Sequence, residues 1–79
     1  MILSNIVGKR IKELIFKKGY SQYRLMRESG LTTKTIADLI NGKTSDVKFN
    51  TVWAILNTIG VSWKEFVDSP LFDTENIDN

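Results

Sequence analysis

Cysteine and histidine are both absent from the 79 residues, and there is a single proline. Without cysteine neither a disulfide staple nor a zinc knuckle can be built, which suits a reducing cytoplasm. Without histidine the commonest general base of enzymes is missing. A catalytic site would then need paired carboxylates or a lysine in a pocket, and no pattern in the chain suggests either. No catalytic residue, metal or cofactor is expected. No apolar run approaches the ~18 residues that a membrane-spanning helix requires. Met1 leads straight into a polar, helix-compatible start, unlike a secretory signal. The expectation is a cytoplasmic protein with no membrane contact.

What is present fits one small domain. A chain this short buries only about 60% of the surface its unfolded form exposes, so its stability is modest. The net charge of +2 hides an asymmetry. Residues 1–48 carry ten Lys/Arg against Glu13, Glu28, Asp38 and Asp46, a balance of +6. Residues 49–79 carry Lys64 against Glu65, Asp68, Asp73, Glu75 and Asp78, a balance of −4. A basic front and an acidic back point to a front that meets a polyanion, although scattered solvated charges give the same totals.

Gly19, Gly30, Gly42 and Gly60 each stand where an apolar helical period stops and a C-terminal cap is expected. The segments between them show i, i+3, i+4, i+7 spacing. The first helix is expected over about 5–18 with Ile11, Leu14 and Ile15 inward, and the second over about 22–29. The third is expected over about 33–41 with Ile36, Leu39 and Ile40 inward, and the fourth over about 51–59 with Val52, Ile55, Leu56 and Ile59 inward. Ser62-Trp63-Lys64-Glu65 spells a capping box at the start of a fifth, with Val61 able to staple onto Phe66. The same staple spacing surrounds Ser21 (Tyr20, Leu25) and Thr32 (Leu31, Ile36). Pro70 ends the fifth helix near Ser69, Leu71 and Phe72 fold back, and 73–79 forms a short, frayed polar tail. The fold class is all-α: a compact five-helix bundle over 1–72.

Helix two is only about two turns long, and Gly30 leaves little chain before helix three, so the pair must cross steeply around Leu25, Ile36 and Leu39. With Ile36 inward, 100° per residue turns Lys34, Asp38 and Asn41 outward. Lys34 can donate to guanine O6 or N7, Thr33 or Thr35 can bond either kind of group, and Asp38 can accept from cytosine N4. Phosphate contacts are expected around that helix. Ser21 and Gln22 stand at the start of helix two, where unpaired N–H groups favour an anion. Asn41, Lys43, Thr44, Ser45 and Lys48 follow helix three. Each has a plainer reading: Lys34 and Asp38 can pair with each other at i, i+4, Thr32 is needed as a cap regardless, and the others can be ordinary loop residues.

At this point the sequence resembles a known family. Ser21-Gln22, Leu25, Gly30, Thr32, Ile36, Asn41-Gly42, Thr51 and Ile59-Gly60-Val61-Ser62 look like the phage-repressor and Cro-like (XRE-type) helix-turn-helix domain. The likeness runs over about 6–67, with the helix-turn-helix at about 22–41. It implies a lambda-repressor-like bundle of five helices that binds operator DNA, usually as a dimer, and reads bases from the third helix. By position it implies base contacts at Thr32, Thr33, Lys34 and Asp38, and phosphate contacts at Gln22, Asn41 and the loop after Gly42. Together with the geometric reading, the phosphate candidates are Ser21, Gln22, Thr35, Asn41, Lys43, Thr44, Ser45 and Lys48.

The chain departs from the family's pattern in several places. Met26 replaces a small residue between the two helices. Ile15 and Ile40 stand where many members bury an Arg–Glu pair, and are expected to touch, which is a sound replacement. Phe16 and Trp53 stand where polar residues are common, and either extend the core or mark a dimer or partner surface. The function expected is a sequence-specific transcriptional regulator, a small repressor from a bacterium or mobile element. The alternative is a protein-interaction module, such as an antitoxin acting on a protein partner.

Overall fold

The computed structural model describes residues 2–44 and 46–77. Five α-helices run in order: α1 (Leu3–Lys17), α2 (Gln22–Ser29), α3 (Thr33–Ile40), α4 (Phe49–Ile59) and α5 (Trp63–Val67). Two 3-10 turns follow, Pro70–Phe72 and Thr74–Asn76. The starts of α2, α3 and α5 are set by hydroxyl caps: Ser21, Thr32 and Ser62 each accept from the backbone N–H three residues on. These bonds satisfy donors that the helix cannot satisfy itself. At Ser62 only half of the expected box forms. The Glu65 N–H donates to Ser62 Oγ at 3.1 Å, but the Glu65 carboxylate turns away to Lys17 and Lys18.

The inward positions come together as one core. Ile11, Leu14, Ile15, Leu25, Ile36, Leu39, Ile40, Val52, Ile55, Leu56, Ile59, Val61 and Phe66 are all buried in it. Ile15 and Ile40 thus share the core, and they also line the same groove, as expected of an apolar replacement for an ion pair. Met26, half-buried, packs against that core. Close α1–α3 approach depends on Gly8: a Cβ there would stand against the Leu39 carbonyl and 3.0 Å from that of Ile40. All four inter-helical glycines adopt positive φ.

Several boundaries differ from expectation. α1 begins at Leu3, two residues early, from an Ile2 that offers no side-chain cap. α4 begins at Phe49, not Thr51, again with no side-chain cap from Lys48. The Phe49 ring stacks on Trp63, with centroids 4.5 Å apart, so a tertiary contact recruits the extra residues. α5 stops at Val67. Arg10 takes its last carbonyls, with Nε donating to Phe66 O at 2.9 Å and Nη2 to Glu65 O at 2.8 Å. Ser69 is extended before Pro70, and Phe72 returns to the core with its ring centroid 5.3 Å from that of Phe66. Beyond it, Thr74–Asn76 forms the second 3-10 turn, and Asn76 Nδ2 donates to the Pro70 carbonyl at 2.7 Å.

Phe16 and Trp53 do not extend the core: Phe16 is 87% exposed and Trp53 52%. Helical spacing explains both. Phe16 lies on the α1 face opposite Ile11 and Leu14, and Trp53 follows Phe49 by one turn on the outer face of α4.

Candidate nucleic-acid interface

The helix-turn-helix is assembled by local chemistry. Ser21 Oγ accepts from Arg24 N at 3.0 Å to open α2. Gly30 closes it at φ 78°, a left-handed conformation that side chains other than glycine rarely adopt. Two residues later Thr32 Oγ1 accepts from Thr35 N at 3.1 Å to open α3. Leu25, Ile36 and Leu39 are buried between the two helices, as the steep crossing requires.

With Ile36, Leu39 and Ile40 inward, the outer face of α3 carries Thr33 and Lys34 exposed, Asp38 half-buried, and Asn41 exposed at its end. Thr32 stands exposed at its start. Of the four proposed base-contacting residues, Thr32, Thr33 and Lys34 stand at the start of α3, and Asp38 lies one turn beyond Lys34 on the same outward face. In the isolated protein two local bonds tie this helix start together. Lys34 Nζ lies 2.7 Å from Asp38 Oδ2, and Thr32 Oγ1 donates to Thr35 Oγ1 at 2.8 Å. The hydrogen bond to Asp38, helped by the carboxylate's charge, raises the Lys34 ammonium above the ordinary lysine value, so it is cationic throughout the neutral range. The pair is open to solvent, so exchanging it for a base edge is cheap.

Beside α3 a cleft of about 340 Å³, floored by Leu31 and Leu39, gathers Thr35, Asp38, Thr44, Asp46, Lys48 and Thr51. It joins Thr35 on α3 to the loop candidates Thr44 and Lys48. Lys43 is exposed nearby in the chain, while Ser45 lies outside the described residues. Gln22, exposed at the first position of α2, is brought instead to a second groove, between α1, Tyr20 and Ile40. The two sets of phosphate candidates thus belong to different clefts.

The tertiary structure divides the cations of the basic half. Arg10 bonds the end of α5, and Lys17 and Lys18 reach Glu65 at 3.9 and 3.8 Å. Arg24 pairs with Glu28 at 2.7 Å and lies over the Tyr20 ring. The Tyr20 hydroxyl, shared between Glu28 and the Thr58 carbonyl, ties this cluster to α4. The hydrogen bond from Arg24 holds the Glu28 carboxyl below the usual carboxylate range. Lys9, Lys12, Arg27, Lys43 and Lys48 carry no ion pair among the described residues. No metal-binding cluster occurs among the described residues, and none of their helices is long and apolar enough to cross a membrane.

Residues 10–69 match the family model of the Cro/C1-type HTH DNA-binding domain. The chain belongs to this family. It is a DNA-binding regulatory domain, and the Cro/C1-type match covers both capped helices, the Gly30 turn and the core that supports them. No curated protein and no solved structure gives a significant match. One feature of this Cro/C1-type domain lies outside the expected contacts, the groove beside Gln22. Its signal was legible: Lys9, Lys12 and Phe16 recur at i, i+3, i+7, one face of α1.

Proposed function

We propose that this Cro/C1-type domain is a sequence-specific repressor that occupies operator DNA with α3 in the major groove. The observation that carries the reading is the outer face of α3: Thr33, Lys34 and Asp38 stand together, solvent-facing, behind a capped two-helix turn. Thr32, Thr33, Lys34 and Asp38 meet base edges. Ser21, Gln22, Thr35, Asn41, Lys43, Thr44, Ser45 and Lys48 hold the backbone on either side, giving affinity rather than sequence choice. Ser21 and Thr32 already accept backbone hydrogen bonds, which leaves the Ser21 hydroxyl hydrogen to donate to a phosphate. Residues 1–72 form the binding unit, 73–79 an appendage to it, and two copies bind together on DNA.

A second reading has its own support. Phe49, 70% exposed, and Trp53 present an apolar outer face on α4, suited to a second copy or to the protein target of an antitoxin.

The deciding experiment is selection from random duplexes, followed by a salt titration on the recovered sequence. A repressor with about four to six phosphate contacts per half-site gives a steep linear fall of log affinity with log salt. Lys34→Ala relaxes preference at one base position by roughly tenfold, whereas Lys43→Ala weakens all sequences alike. Absence of duplex binding at low salt would remove the repressor reading and leave the protein-partner one.

A further inference from the structure

The outer face of α1 is chemically unusual. Lys9, Lys12 and Phe16 follow one another at helical spacing, and Phe16 is 87% exposed. All three line a groove of about 510 Å³ whose other walls include Gln22, the first residue of α2, and Ile40, the last of α3. This face therefore ends where α2 presents its unsatisfied N–H groups, a position that favours anions.

The lysines on it differ from their neighbours. Arg10 and Lys17 from the same helix, and Lys18 at its C-cap, are all turned to α5, while Lys9 and Lys12 have no ion pair among the described residues. Two uncommitted ammonium groups alternate with an aromatic ring. A nucleic-acid strand has the matching pattern, with charged phosphates separated by apolar sugars. We infer that Lys9, Lys12 and Phe16 extend the DNA contact onto α1, the lysines holding phosphates beyond the one at Gln22 and the Phe16 ring lying against deoxyribose.

This inference rests on the DNA-binding reading above. It enlarges the footprint from the helix-turn-helix to three helices and accounts for a phenylalanine left in water. One group opposes it: Glu13 also lines the groove, 51% exposed and 3.8 Å from Arg10, and its carboxylate repels phosphate.

The test compares full-length variants on the duplex recovered by selection and on an unrelated duplex, across a salt series. The K9A/K12A double variant lowers the slope of log affinity against log salt by roughly 1.8, about 0.9 for each phosphate lost. It loses affinity equally on both duplexes, since backbone contacts carry no sequence information. F16S weakens binding at every salt concentration with the slope unchanged, because it removes an uncharged contact. E13Q tightens binding, and K17A leaves the slope as it was. Thermal melts confirm that each variant is folded. A wild-type slope in a folded K9A/K12A protein overturns the inference while leaving helix three as the reader. Failure of the wild type to bind any duplex instead overturns the repressor reading itself.

Discussion

Gly8 interrupts α1 with a residue of poor helix propensity, and nothing in its local sequence explains why. The explanation lies across the core. The Leu39 and Ile40 carbonyls at the end of α3 occupy the space a side chain would need, and backbone atoms cannot swing aside as a flexible side chain can. Gly8→Ala is therefore expected to lower stability by ~1–3 kcal/mol through overpacking, despite the ~1 kcal/mol that alanine gains in an open helix. Chemical denaturation measures it, and a stabilised variant would contradict the α1–α3 contact. Ile15 and Ile40 make the complementary point. Their joint burial follows from apolar character and helical phase, both plain in the sequence, whereas the need for glycine depends on which backbone comes near.

At the level of the helices, boundaries set by side-chain caps were legible and those set by distant partners were not. α2 begins and ends where Ser21 and Gly30 predict, and α3 begins after Thr32, because each signal acts within a few residues. The start of α4 lies two residues before the expected one because Lys48 provides no cap and the stacking partner, Trp63, sits in another helix. The cap of α3 also permits a separation of roles. Thr32→Ala and Ser62→Ala should each cost ~1 kcal/mol of stability, measurable in the same denaturation experiment. Only Thr32→Ala should also weaken operator binding, since Thr32 opens the helix proposed to read bases. Equal binding by the two variants would count against that placement.

Across the whole molecule the main organising contact is Arg10. Its guanidinium, in a side chain only 15% exposed, donates to the carbonyls of Glu65, Phe66 and Asp68, so α1 closes off the end of α5. Arg10→Ala leaves those acceptors without their donor and should cost ~1–3 kcal/mol. Amide hydrogen exchange should speed up in α5 and around Phe72 before the rest of the core. DNA affinity should keep its salt slope, because this cation faces the protein. Unchanged exchange in α5 would show that the contact is dispensable. The same partition corrects the simplest view of the charge asymmetry: part of the basic half exists to hold the acidic half, through Arg10 directly and through Lys17 and Lys18 at Glu65.

The sequence by itself determined the all-α class, the capped helix-turn-helix, the inward face of each long helix and the outward face of α3, because periodicity, hydroxyl caps and left-handed glycines act over one or two turns. Tertiary structure alone decided which cations are committed within the protein and why α1 needs a glycine. Those outcomes depend on groups far apart in the chain, such as Arg10 and Phe66 or Gly8 and Leu39, whose meeting is fixed only when the core packs.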